Sequence, residues 1–275
     1  MKTSKEVVNI ITKWYEELNF PKKYDEEFYK ALETIYVDEN AKVSEYDLFC
    51  PDGKKNLLHY LYFCEDLKKR YEEKGIPDEI LYDTLHDIVI WTNTWSDLKG
   101  ELYLGELDFL QVHFRMDLFK IGRLEFTKSQ SWKSVPSKNI QKGTPVSGIH
   151  IPATGEPLTQ EACIESIKRA KDFFATYYPE FKYEHMVCYS WLLSDDLTRF
   201  FKPDSNIVRF GELFDLIDTK EEDSILSFII GWKKKRDDVK NMEFTTRVQN
   251  EIKKAVLNDE KFYVGYGVVK DEYLK

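Results

Sequence analysis

The residues whose types and spacing could do chemistry gather between positions 146 and 206 of this 275-residue chain. In Val-Ser-Gly-Ile-His-Ile (146–151), strand alternation sends Ile149 and Ile151 one way and Val146 and His150 the other. His150 stands just before a turn of Pro, Ala, Thr and Gly. An imidazole there titrates near neutrality and can act as a general base, or it can bind backbone and fix the turn. A second run, His-Met-Val-Cys-Tyr-Ser-Trp-Leu-Leu (185–193), reads as a central strand, apolar on both faces. It carries Tyr189 and Trp191 on one side and Cys188 and Ser190 on the other. The Tyr189 phenol can serve as a general acid and the Ser190 hydroxyl can hold a substrate oxygen. The same groups can equally be core residues whose polar tips are bonded internally. Trp191 and Asn206 are candidates to line a substrate. Asn206 follows Ser205 at a break between elements, where a polar side chain also caps backbone.

Between the two strands, Pro152-Ala-Thr-Gly-Glu-Pro-Leu-Thr159 leads into a helix that Thr159 caps. Free amides at such a start can take a phosphate. Ala153, Thr154, Gly155, Thr159 and Gln160 are therefore candidate anion contacts, although Glu156 and Glu161 bring negative charge to the same place. Ser166 falls on the inner face of that helix, with no GxSxG turn or neighbouring base, and reads as a packing residue. The cysteines (Cys50, Cys64, Cys163, Cys188) are widely spaced and match no zinc or redox motif. No pair of the five histidines has chelating spacing, so no metal is expected.

Two kinds of element must position these groups. Up to about residue 118 the apolar periodicity is helical. Thr3 and Glu6 have capping-box spacing ahead of Val7, Ile10, Ile11, Trp14 and Leu18. Further helices are expected from Asp25, through Leu57–Leu67 to Gly75, from Pro77 through Trp95, and over Glu106–Leu118. From Arg123 the pattern alternates. Strands are expected at 123–127, 146–151, 185–193 and 262–269, and a hairpin of 213–218 with 225–230 around an acidic turn. Residues 128–145 read as an exposed loop, Thr159 begins a long helix, Ser194 a short one, and another helix covers 243–257. The expected architecture is α+β: a helical N-terminal domain (1–118), then a mixed, mostly antiparallel sheet flanked by helices (119–275).

Hydrophobic residues make up 42% and aromatics 15%, enough to build a packed core. A net charge of −9 argues against nucleic acid or an anionic membrane as partner. The opening MKTSKEVVNIITKWYEELNF is an amphipathic helix rather than an export signal, and no apolar run has membrane-spanning length. The cytoplasm is the expected compartment.

Several of these words occur together in one known family. Phe-Lys-Ile-Gly-Arg-Leu-Glu-Phe (119–126), Ile-His-Ile-Pro-Ala-Thr-Gly (149–155), Ser166…Ala170…Phe173-Phe174, Cys188-Tyr-Ser-Trp-Leu-Leu193 and Ser205-Asn-Ile207 appear in this order. The series resembles bacterial acyltransferase-domain proteins that join a helical N-terminal domain to a GNAT-like C-terminal domain. The resemblance implies an acyl-CoA co-substrate, acetyl-CoA or another, and a small-molecule amine or peptide acceptor. It implies that coenzyme A enters where strands 146–151 and 185–193 splay apart, near Ile151, with its pyrophosphate on loop 153–160. His150 would take the amine proton, and Tyr189 would protonate the departing thiolate. The family's usual (Q/R)xxGx(G/A) phosphate loop is not present. This leaves as the alternative a non-catalytic small-molecule-binding or interaction protein on a degenerate fold of this kind.

Overall fold

The computed structural model describes residues 3–274 and divides into two compact units, Met1–Ile121 and Gly122–Lys275. The first holds helices α1 (Lys5–Glu17), α2 (Asp25–Thr34), α3 (Gly53–Lys74), α4 (Asp78–Lys99) and α5 (Leu107–Phe114), followed by a short strand, β1 (Leu118–Ile121). The periodic apolar residues form its core: Val7, Ile11, Trp14, Leu57, Leu61, Leu85 and Ile88 are buried. Ser4, not Thr3, caps α1, accepting from the Val7 amide at 3.4 Å. Thr3 instead donates to the Ile35 carbonyl (3.2 Å) and accepts from the Val37 amide (3.0 Å), so its hydroxyl serves the chain beyond α2. The helix expected to reach Leu118 stops at Phe114. Met116 adopts φ +58°, a left-handed conformation that ends helical hydrogen bonding, and Leu118 opens β1.

The second unit is built on β2 (Leu124–Gln130), β3 (Pro145–His150), β4 (Met186–Ser190), β5 (Phe214–Glu221) and β6 (Tyr263–Val269), in the order β2-β3-β4-β6-β5. Only β3 and β4 pair in parallel; the other neighbours are antiparallel. This is the mixed, mostly antiparallel sheet expected of the α+β reading. Its helices are α6 (Gln160–Tyr177), α7 (Asn206–Gly211), α8 (Ser224–Ile229), α9 (Arg236–Lys240) and α10 (Arg247–Leu257).

Five local expectations are corrected here. β2 runs on to Gln130, taking the first residues of the expected loop into its ladder with β3. β4 ends at Ser190, and Trp191–Leu193 wind into a 3-10 turn, because the Ser190 hydroxyl accepts the Leu192 amide at 3.2 Å. β5 continues through the expected acidic turn to Glu221 and pairs with β6 across a bulge at Leu216/Asp218. Ile225–Ile230 is not its hairpin partner: that short apolar run, equally able to be helix or strand, mostly forms α8. Finally, α10 starts at Arg247, where Thr246 accepts the Gln249 amide, rather than at 243. No helix among the described residues is long and apolar enough to cross a membrane.

Register assigns side chains to the two faces of this sheet. Gly148 pairs with Val187 and Val187 with Val268, so these three share a face with Val146, and also with His150, Tyr189 and Tyr266. Val135 and Ile140 cover that face. Cys188, Ser190, Gly265 and Gly267 belong to the other. There the Leu193 carbonyl lies so close to Gly265 that an added Cβ would approach it to 2.2 Å. Only glycine lets the turn after β4 fold back onto β6.

Candidate functional site

The parallel β3–β4 ladder comprises Ser147↔Met186, Gly148↔Val187 and Ile149↔Cys188. Past that last pair, β3 stays with β2 through His150, while β4 stays with β6 through Tyr189 and Ser190. The two strands thus part company at the residues singled out in the sequence. By register His150 and Tyr189 project from the same face, one on each side of the divergence. Ser190 projects from the other face, and its hydroxyl caps the following turn. Trp191 has left the strand and is buried within that turn.

Tyr189 is 43% exposed, yet its hydroxyl is held: it donates to Glu222 Oε2 at 2.9 Å. Burial, that hydrogen bond and the charges of Glu222 and Asp218 push the phenol up to about 12. A phenol so raised is a weak proton donor at neutral pH. Trp132, which no sequence pattern marked, stands edge-on to Tyr189 at 6.2 Å between centroids and edge-on to buried Tyr266 at 5.7 Å. It lies in the segment read as a loop, where neither alternation nor helical spacing gives a signal. Glu125 is a second residue missed. It sits directly opposite His150 in the β2–β3 ladder and is almost wholly buried. Strand alternation was its only mark.

The loop after β3 is more closed than its sequence suggests. Thr154 Oγ1 donates to Glu156 Oε2 at 3.1 Å, Thr159 Oγ1 accepts the Ala162 amide at 3.2 Å, and Gln160 Nε2 reaches Glu212 Oε2 at 3.5 Å. Ala153 and Gly155 are exposed, and Gly155 takes φ +80°. Arg123 braces the loop from beneath, donating through Nε to the Glu156 carbonyl (3.2 Å) and through Nη1 to the Pro152 carbonyl (3.1 Å). The Arg123 amide donates to Ser166 Oγ at 2.7 Å, and that hydroxyl donates to the Ala162 carbonyl at 2.8 Å, so Ser166 is structural. Burial raises the Cys163 thiol to about 11 and the Cys188 thiol further, leaving both as packing groups. Asn206 is exposed at the first position of α7, with Ser205 as its cap.

On the second face, an apolar hollow of about 250 Å³ follows the end of β4. Leu192, Leu193, Leu197, Val208, Phe214 and Leu216 supply most of its wall, and Ser194, Asp195, Thr198 and Glu212 its polar edge. The arrangement therefore offers a parting of two strands, an imidazole and aromatic rings on one face, a helix start nearby, and an apolar hollow on the other face.

No curated protein matches the sequence. Solved structures share the fold, three acyltransferases among them. An acyltransferase in complex with decanoyl-CoA and teicoplanin superposes with a TM-score of 0.68 at 24% identity, covering 78% of this chain and 66% of that one. An acyltransferase in complex with CoA and 10C-teicoplanin gives the same figures. In each of these two cases the chain spans just under two thirds of the solved protein. An acyltransferase mutant in complex with octanoyl-CoA has a TM-score of 0.77 at 20% identity, covering 98% of this chain and 89% of that one. At these identities the likeness is one of fold. In sequence, residues 2–116 match the N-acyltransferase N-terminal domain and residues 118–269, more than half the chain, match the GNAT-like C-terminal domain. The chain belongs to the family of proteins that carry this GNAT-like C-terminal domain.

Proposed function

We propose that this protein is an acyl-CoA-dependent N-acyltransferase. The observation that carries the reading is the parting of β3 and β4 after Ile149↔Cys188, with His150 and Tyr189 on one face beyond it. A thioester laid into that parting presents its carbonyl to the face where His150 stands. A neutral amine attacks the carbonyl, a C–N bond forms and the C–S bond breaks. His150 takes the proton from nitrogen and can return it to the departing sulfur, so no separate acid is required. Amides at the end of β3 near Ile151 polarise the carbonyl. The pyrophosphate goes to the exposed amides around Ala153–Gly155 and the start of α6 at Thr159 and Gln160. Ser190 and Trp191 shape the wall through the turn they build, and Asn206 lies at the rim.

Acetyl is one donor to test and longer chains are others, because the similar solved structures hold octanoyl- and decanoyl-CoA. The hollow beside Leu192 and Phe214 is apolar enough to favour an aliphatic chain. Calorimetric titration with acetyl-, octanoyl- and decanoyl-CoA tests the donor. Mass spectrometry of mixed amine acceptors then tests transfer. Absence of binding to all three at millimolar concentration sinks the reading. One set of observations favours a second reading, a binding protein without catalysis: Thr154, Thr159 and Gln160 are already engaged within the chain. Tight donor binding without amide product would select it.

A further inference from the structure

We propose that Trp132, Tyr189 and Glu222 form a seat for an aromatic ammonium compound, and that this seat is the acceptor end of the site. The proposal rests on the transferase reading for its second half only. Trp132 is 59% exposed, although it is held edge-on by Tyr189 and Tyr266 at interplanar angles of 81° and 79°. Two large rings fixed in place and left facing solvent make a rigid apolar platform, the kind of surface that binds flat ligands with little ordering cost. The chain itself shows that one of these two rings, Trp132, accepts an ammonium. Lys133 Nζ lies 4.3 Å from the Tyr266 ring centroid and 5.0 Å from that of Trp132.

A carboxylate stands at the rim of the platform. Of the two acidic groups facing Tyr189, Asp218 is paired with Lys133. Glu222 holds the phenol, and its contact with Lys220, at 4.0 Å, is at the limit of an ion pair. Its negative charge is thus the one best placed to meet a cation lying on the rings. The net charge of −9 favours the approach of such a ligand over an anionic one. Register puts the seat on the face of His150, so an amine held there lies on the side of the proposed base. Before transfer the seated nitrogen carries three protons and the amide product carries one. Of the two released, one ends on the coenzyme A sulfur and one in solvent.

The test is calorimetry on the full chain with phenethylammonium, butylammonium and the uncharged 2-phenylethanol. Phenethylammonium is expected to bind most tightly, Trp132→Ala to weaken it about tenfold, and Glu222→Gln to abolish its advantage over 2-phenylethanol. Trp132 is exposed and the Glu222 change keeps the side chain's shape, so both variants keep the fold; circular dichroism checks this. Failure of phenethylammonium to bind, binding by both variants unchanged from the parent, or equal preference for butylammonium overturns the seat. Decanoyl-CoA is titrated against the same samples. Donor binding with no effect of the variants on phenethylammonium leaves the transferase reading and removes the seat. A seat that behaves as expected without any acyl-CoA binding does the reverse.

Discussion

The two faces of the β4–β6 ladder end differently. On one, Val146, Val187 and Val268 are covered by Val135 and Ile140, and the covering stops short, leaving Tyr189 and Trp132 half in solvent. On the other, the backbone after β4 folds back over Gly265 and Gly267, and Leu193 and Phe214 close against them. One short strand thus has an open end facing His150 and a closed end facing an apolar hollow. Groups left open at the edge of a well-packed sheet hold their positions and still meet ligands, whereas groups on the closed side answer for stability. The contrast separates residues whose loss should reduce activity from residues whose loss should reduce folding.

The sharpest break on the open face is His150→Ala. If His150 is the base, the rate of amide formation falls about 10³-fold while the affinity for acyl-CoA, measured by calorimetry, is kept. A rate within about threefold of the parent removes His150 from the mechanism. On the closed face the corresponding break is Gly265→Ala. Its Cβ would meet the Leu193 carbonyl oxygen, a backbone atom with no freedom to withdraw, and a loss of about 3 kcal/mol in urea unfolding is expected. An unchanged midpoint would mean that the turn after β4 is looser than its contacts indicate.

Ser190→Ala distinguishes a cap from a substrate contact. Loss of its bond to the Leu192 amide should cost about 1 kcal/mol of stability, with the Michaelis constant for the amine unmoved. A raised Michaelis constant with unchanged stability would return Ser190 to the open side of the comparison. The smallest effect concerns Tyr189→Phe. The phenol is raised, so its neutral form is favoured by the fold. That contribution is complete below the ordinary tyrosine value of about 10 and is lost as pH rises through about 12. The stability difference between parent and variant should therefore be constant from pH 6 to 9 and shrink in the alkaline range. The pH profile of transfer should keep its shape, since Tyr189 does not titrate there; a displaced alkaline limb would restore it as an acid.

Much of this was legible in the residues. Helical spacing before Phe114 and alternation after Arg123 mark the change of architecture, because each periodicity buries one face only in its own kind of element. Thr159 as a cap, Ser166 as a packing group and the shared stretch around His150 and Tyr189 were also readable locally. What was not readable has a common cause. Ile225–Ile230 has an apolar run that suits strand or helix, and the choice was made by β6, which pairs with β5 from more than forty residues away. The end of β4 at Ser190 depends on a hydroxyl meeting an amide two residues on, and on Gly265 and Gly267 making room across the sheet.

The sequence by itself determined the class of fold, the family resemblance and a short list of polar groups on two strands, since these follow from periodicity and from words of a few residues. Only the tertiary structure decided that β3 and β4 part after Ile149 and Cys188, that His150 and Tyr189 share a face, and that Trp132 stands beside Tyr189. Those facts depend on strand register and on contacts between residues far apart in the chain, and one step of register would send every side chain to the opposite face.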